Sequence, residues 1–473
     1  MGEEDMQVTV SNTLTIEQPT KEAVDWCKKE LTIPNPEFTK KLRMGFWVGN
    51  TPEKLTLYER HGENLVLPFG MLRSLPECIT NEATFQSAFT APQSVFYGKG
   101  DVPLYDYQKD AVEGVYEAKY GILQSAAGSG KTQMGIALVK KFGKRALWLT
   151  HTLDLLRQSK ARAEQYLDKD LIGTITEGKV HIGSGITFAT IQTMCKLDLA
   201  QYKDMWDVVI VDECHRVAGT PTAMTQFYKV LNSLAARHKI GLSATVHRSD
   251  GMILATYALL GQIVYTVPEE ALADKIMKVG ICPVGTETSL SMECLNTDGT
   301  LNYTRLITYL TEDIERCMKI VSCIEENENR PSLILSDRLD HLAHLMSLLP
   351  SHMEREAVMV SGKMTTKKGK AEREQAIEDM RTGKKKYLFA TYSLAKEGLD
   401  IPCLERLYLT TPQKDYAVVT QSIGRIARTH EGKADPIAYD FVDNIAYLVK
   451  FYKKRCTTYR KNGCYFIEEG GRN

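Results

Sequence analysis

Ser125-Ala126-Ala127-Gly128-Ser129-Gly130-Lys131-Thr132 follows the apolar run Gly121-Ile122-Leu123 and leads into Gln133 to Lys141, which has helical periodicity. A strand, a glycine-bearing loop and a helix in that order form a cradle for phosphate. Gly128 and Gly130 let backbone N–H groups turn inward on an anion, and the dipole of the following helix favours negative charge there. Gly128, Ser129, Gly130, Lys131 and Thr132 are thus the candidate nucleotide contacts. Lys131 is expected on the β- and γ-phosphates, and the Thr132 hydroxyl on Mg2+. Ser125 stands where the plain pattern has glycine.

On both sides of this loop, short apolar runs alternate with longer helix-like segments. Ala146-Leu147-Trp148-Leu149, Ile186-Thr187-Phe188-Ala189, Val208-Val209-Ile210-Val211 and Ile240-Gly241-Leu242 form one series. Leu333-Ile334-Leu335, Ala357-Val358-Met359-Val360, Tyr387-Leu388-Phe389-Ala390 and Arg406-Leu407-Tyr408-Leu409 form a second, beyond Pro268. Continuous apolar strands spaced by helices belong to parallel sheets buried on both faces. The expected class is α/β: two consecutive parallel-sheet domains, 99–268 and 269–473, behind a small mixed α+β accessory domain at 1–98. In that first block, Ala23 to Leu31 reads as a helix, and Phe46-Trp47-Val48 and Leu55-Leu57 as short strands.

Two further constellations carry chemistry. The run Val208–Val211 delivers Asp212-Glu213-Cys214-His215 at its end, 81 residues after Lys131. Two adjacent carboxylates at the C-terminal edge of a sheet suit Mg2+ binding by Asp212 and activation of a water by Glu213. In Gln421-Ser422-Ile423-Gly424-Arg425-Ile426-Ala427-Arg428, helical spacing places Gln421, Arg425 and Arg428 on one face. Those arginines can supply the cation that transition-state charge on a γ-phosphate requires.

Together these residues resemble the superfamily 2 DExH-box helicases over roughly Tyr105 to Asp443. The resemblance implies two tandem RecA-like domains, with ATP and Mg2+ as cofactors. It makes Gln108 an adenine-reading residue and adds Gly398 and Asp400, in Thr391 to Pro402, to the nucleotide contacts. It assigns Thr152, Thr193 and Thr391 to the sugar–phosphate backbone, and His215, Ser243 and Thr245 to coupling between nucleotide and strand. Lys131, Glu213, Gln421, Arg425 and Arg428 are its catalytic set. Ser243-Ala244-Thr245-Val246-His247-Arg248-Ser249-Asp250-Gly251 is similar to the corresponding run of XPB-like and phage UvsW-like DNA helicases of the branch-migration type, with Val246 in place of proline.

The expected activity is ATP-dependent unwinding or remodelling of duplex or branched DNA in recombination, repair or replication, with recombination or replication proteins as further partners. An RNA helicase and a nucleotide-gated clamp that binds without unwinding are the alternatives. Composition sets the limits. The 473 residues are 43% hydrophobic and 25% charged, with 59 Lys+Arg against 59 Asp+Glu. A net charge of zero leaves nucleic-acid binding to local patches. Two basic stretches qualify: Ser361 to Lys386, and Ile445 to Asn473 with Phe451, Tyr452, Tyr459 and Tyr465 interleaved. Residues 1–100 carry ten Lys/Arg against thirteen Asp/Glu. As a substrate-recognition module, Lys40-Lys41-Leu42-Arg43 with Phe46 and Trp47 would touch a DNA backbone and stack at a junction, but the favoured reading puts Phe46 and Trp47 in the core beside solvated lysines. The eleven cysteines include no C-x-x-C pair and read as buried thiols of a reducing compartment. With an acidic start and no long apolar run, the expected location is cytoplasmic, in a bacterium or phage-infected cell, or nuclear in a eukaryote, with no membrane contact.

Overall fold

The computed structural model describes all residues except 1–5, 99, 127, 218–220, 245–251, 269, 273–275, 363, 365, 397–398, 400 and 468–473. Two compact units divide the chain near residue 268.

The first unit holds an eight-stranded sheet. Its parallel centre runs Ile172–Thr176, Ile186–Thr190, Ala146–Thr150, Val208–Asp212, His238–Ser243 and Gly121–Gln124 in spatial order. Lys179–His181 closes one edge antiparallel and Ile263–Thr266 the other in parallel. Val208, Val209, Ile210 and Val211 are all fully buried, as a strand flanked by two neighbours and covered on both faces requires.

The N-terminal block forms a five-stranded sheet ordered Glu59–His61, Asn64–Pro68, Thr13–Glu17, Gln7–Val10 and Thr84–Ser87. Helix Lys21–Glu30 places Ala23 and Cys27 in the block's apolar cluster and is capped by the Thr20 hydroxyl, which accepts from Ala23 N at 3.3 Å. This sheet has no separate core. Val8, Leu14, Ile16, Leu67 and Met71 share one apolar cluster with Met224, Met252, Ala255 and Ala258, which flank strands of the eight-stranded sheet in sequence. Gly70 lies so close to the end of helix Ile253–Leu260 that a Cβ there would sit 2.4 Å from Gly261 N.

Lys239 completes the seam. It is buried in the His238–Ser243 strand, and its Nζ donates to Asn12 O at 3.0 Å and Leu231 O at 2.7 Å. Burial without a carboxylate lowers its pKa from 10.5 to about 7. The unfolded chain therefore binds this proton more readily between those values, and folding gains stability as pH rises from 7 towards 10.5. Lys239→Met should remove that dependence. Denaturant unfolding of both proteins at pH 7 and pH 9.5 is expected to show the variant's stability, relative to the parent, falling at the higher pH.

The second unit has seven parallel strands: Ala357–Val360, Tyr387–Thr391, Ser332–Ser336, Arg406–Leu409, Ile437–Asp443, Gly280–Thr286 and Tyr465–Phe466. Strand Ile437–Asp443 carries two buried carboxylates, each neutralised. Asp443 pairs with Arg316 at 2.6 Å, both side chains fully buried, and accepts from Thr286 Oγ1 at 2.7 Å. Asp440 accepts two hydrogen bonds from Arg455, each 2.8 Å, and a third from Tyr459 Oη at 2.6 Å. The latter cluster pins helix Ala446–Lys461 to the sheet.

Three expectations change. Residues 46–48 form no strand, and Phe46 and Trp47 are exposed, not core. In the basic C-terminal stretch, Phe451, Tyr459 and Arg455 are buried, because Arg455 is needed against Asp440. Only Lys453 and Lys454 of its central run face solvent. Of the eleven cysteines seven are buried and four half-buried, all as free thiols.

Candidate functional site

Strand Gly121–Gln124 ends one residue before the phosphate-type loop, and helix Lys131–Phe142 starts directly after it. Gly128 and Gly130 adopt φ of +86° and +81°, conformations that cost a side-chain-bearing residue energy. At Gly130 a Cβ would also strike Gln108 Nε2, 2.4 Å away. Gln108 is buried in helix Asp106–Ala118, and its Oε1 accepts from Tyr105 N at 3.0 Å, so its amide is held against the loop. Ser129 is buried and Thr132 half-buried. Lys131, buried at the helix start, donates from Nζ to Ser125 O at 3.2 Å and Ala126 O at 3.1 Å.

Asp212 closes strand Val208–Asp212, separated from Gly121–Gln124 by strand His238–Ser243, with its carboxylate nearly inaccessible. Ser159 Oγ donates to its Oδ2 at 3.1 Å, and Glu213 N to its Oδ1 at 3.0 Å. Burial, then the adjacent Glu213 charge, pushes its pKa from 3.8 up to about 6, against an opposing pull from Lys131. A buried carboxylate held above its ordinary range beside a threonine-bearing phosphate loop is a donor set that a hard divalent cation suits. Asp212 and Thr132 are therefore the residues that fit Mg2+.

Glu213 is a non-glycine residue in the left-handed region, φ +50° and ψ +51°. Such strain persists where surrounding structure enforces it, most often at functional sites. His215 Nδ1 lies 3.2 Å from Glu213 Oε2 and 3.0 Å from Ser243 Oγ. Ser243 in turn accepts Ser125 N on its carbonyl at 3.0 Å. Hydrogen bonds thus join the phosphate loop to the Ser243 strand end and Ser243 to His215, whose ring lies against the Glu213 carboxylate. Thr245 lies outside the described residues.

Thr152 and Thr193 sit at two further strand ends of the same sheet. Thr152 caps helix Leu153–Ala163, its Oγ1 accepting from Leu155 N at 3.3 Å. Thr193 Oγ1 is 2.9 Å from Thr190 Oγ1. Gln192 Nε2 donates to His151 O at 2.8 Å, tying the two elements into one surface.

In the second unit Thr391 ends strand Tyr387–Thr391, its hydroxyl 3.0 Å from Ser393 Oγ. Gln421 is buried in helix Tyr416–Ile426. Arg425, one turn on, donates from Nε to Ala395 O at 2.8 Å and from Nη1 to Leu399 O at 3.1 Å. Arg428 does not share that helix face: the helix ends at Ile426, and Arg428 pairs in an antiparallel bridge with Ile276. The terminal hydrogen bond of Ala427 N to Ile423 O marks where helical spacing stops applying. Gly398 and Asp400 lie outside the described residues.

Ser159 is a site residue absent from the motif reading. Its signal lies in the helix Leu153–Ala163, where Leu156, Ser159 and Ala163 form the buried stripe. A serine on an apolar stripe must find a polar partner, and here that partner is Asp212.

Among known proteins, the family "Type III restriction enzyme, res subunit" matches residues 101–248, and "Helicase conserved C-terminal domain" matches residues 312–430. The chain is 26% identical over 70% of its length to "Putative ATP-dependent RNA helicase L396" of Acanthamoeba polyphaga mimivirus, and the match spans 62% of that protein. It is 22% identical over 97% of its length, and 95% of the relative's, to "Probable helicase D10" of Escherichia phage T5. It is 25% identical to "DNA 3'-5' translocase XPB2" of Sulfurisphaera tokodaii, covering 71% of this chain and 81% of that one. Among solved structures, the fragment of an HsdR subunit of a type I restriction enzyme from Vibrio vulnificus YJ016 has the same fold over 79% of this chain and 69% of its own, with TM-score 0.57 and 19% identity.

Proposed function

Because this chain belongs to the superfamily 2 helicases, which are ATP-driven enzymes, we propose that it hydrolyses ATP to translocate on and remodel duplex or branched DNA. The observation that carries the motor reading is the linked set Lys131, Asp212, Glu213, His215 and Ser243, because it connects the hydrolytic carboxylate to the lobe's strand-end surface. Thr132 and Asp212 would hold Mg2+, which would supply charge neutralisation at the phosphates. Lys131 leaves its two loop carbonyls for the phosphate oxygens, and Gln108 reads the adenine. Glu213 accepts the proton of the attacking water, its position set by the strained backbone and by His215. By the family resemblance, Gln421, Arg425 and Arg428 would supply polar and cationic contacts to a γ-phosphate, and Gly398 and Asp400 further nucleotide contacts.

His215 then passes the state of the site to Ser243. Thr152, Thr193 and Thr391 hold sugar–phosphate, a contact blind to sequence. The preference for DNA is supported by the XPB2 relative and by the run from Ser243 to Gly251, most of which lies outside the described residues. The mimivirus relative favours RNA as the second reading.

The test is the ATPase rate with no nucleic acid, single-stranded DNA, duplex DNA, a four-way junction and RNA. Strongest stimulation by duplex or junction is the expected result. Stimulation by RNA alone would overturn the DNA assignment and leave the motor intact.

A further inference from the structure

The N-terminal block presents a feature that the motor does not use. Helix Pro36–Arg43 ends in a turn where Leu42, Arg43, Met44, Phe46 and Trp47 all face solvent. Phe46 is 59% exposed and Trp47 88%, the reverse of the usual fate of large aromatics.

The turn is built, not frayed. Gly45, at φ +67°, donates to Leu42 O at 3.2 Å, and Phe46 N donates to Lys41 O at 2.9 Å, the paired bonds of a left-handed helix terminator. In that motif the residue after the glycine usually folds back onto the helix; here it points outward. Thr51 N donates to Val48 O at 3.0 Å, and Lys41 Nζ to Thr51 Oγ1 at 2.7 Å. Buried Asn35 closes the base, donating from Nδ2 to Pro52 O at 2.8 Å and from its backbone to Glu53 O at 2.9 Å. The Trp47 ring leans over Gly49, where a Cβ would meet it at 3.1 Å, so the turn sets its direction.

Charge at the tip has one sign. Lys41 is paired with Glu37 at 3.1 Å, whereas exposed Lys40 and Arg43 form no ion pair among the described residues. Two cations beside two projecting aromatic rings, in a block that is otherwise slightly acidic, match a chain of flat bases on a phosphate backbone. A protruding tip offers no groove for a peptide.

We propose that Phe46 and Trp47 stack on unpaired nucleobases at the end or branch of the DNA substrate while Lys40 and Arg43 hold the adjoining phosphates, a second nucleic-acid contact on the ATP-binding unit. The proposal rests on the DNA reading above. It adds a preference for single-stranded arms over blunt duplex.

Tryptophan fluorescence of the full chain reads this contact directly. Of the four tryptophans, Trp148 and Trp206 are buried and Trp26 is packed against the N-terminal core, leaving Trp47 in solvent. Oligothymidylate and a forked duplex with single-stranded arms should quench the emission saturably, and blunt duplex should not. Trp47→Phe should lose the quench and keep the affinity. Phe46→Ala with Trp47→Ala should weaken binding to the fork about tenfold, with the salt slope and the ATPase without nucleic acid unchanged. Lys40→Ala and Arg43→Ala should each lower the salt slope by about one.

DNA-stimulated ATPase with undiminished fork affinity in the double alanine variant would overturn the stacking contact alone. Equal loss on fork and blunt duplex would overturn it in favour of a backbone contact. Self-association of the parent chain that the alanine variant abolishes, with no DNA effect, would assign the tip to a second copy. If no nucleic acid binds or stimulates the parent, the DNA reading falls with it.

Discussion

Glu213→Gln is expected to lower the nucleic-acid-stimulated ATPase by about 10²–10⁴-fold, the usual worth of a positioned general base. The substitution preserves shape, and the left-handed backbone at position 213 is the same for either side chain. It removes the acceptor for the water's proton and the carboxylate that His215 faces at 3.2 Å. Binding of ATP should survive, since Lys131, Gln108 and the glycine loop are untouched. Steady-state hydrolysis beside equilibrium binding of a fluorescent ATP analogue separates the two effects. Parallel loss of binding and turnover would show that Glu213 serves the loop's structure and not the chemical step.

Arg455→Ala is expected to cost about 3–5 kcal/mol of stability in the second unit, the penalty for leaving a buried charge without its partner. Asp440 would retain one hydrogen bond, from Tyr459, and lose both guanidinium bonds. Arg455 also donates to Gln413 O at 2.7 Å, so the segment leading into helix Tyr416–Ile426 would loosen as well. Lys453→Glu with Lys454→Glu, on the exposed face of the same helix, should leave stability nearly unchanged. Denaturant unfolding of the three proteins checks the contrast. A mild effect of Arg455→Ala would mean that water reaches Asp440 readily.

The parts legible in the sequence share one property: local patterning and burial agree. Val208–Asp212 is apolar until its last residue, and all five positions are buried, so the one carboxylate at the strand end stands out against its own run. Strand Ile437–Asp443 resists the same reading because Asp440 and Asp443 interrupt it. Both are buried against arginines remote in sequence, a pairing that no window of seven residues contains. Gly280–Thr286 hides for a related reason, since Gly280, Pro283 and Gly285 resemble a loop. Hydrophobicity alone sends Phe46 and Trp47 inward, whereas the turn at Gly45 leaves both in solvent. Arg428 was misplaced because a helical repeat drawn from Gln421 has no means of knowing that the helix stops two residues short.

The seam between the N-terminal block and the nucleotide-binding lobe bears on how the protein can be divided. Val8, Leu14, Ile16 and Leu67 on one side and Met252, Ala255 and Ala258 on the other form a single apolar cluster. A fragment starting near residue 100 would put the latter three in water together with Lys239, whose acceptor at Asn12 would be gone. Such a truncation is not a minimal motor; it is a lobe with an open wound, prone to clump in the test tube. The N-terminal block and the sheet it adjoins are thus one folding unit, and a cut between them would expose the apolar faces of both.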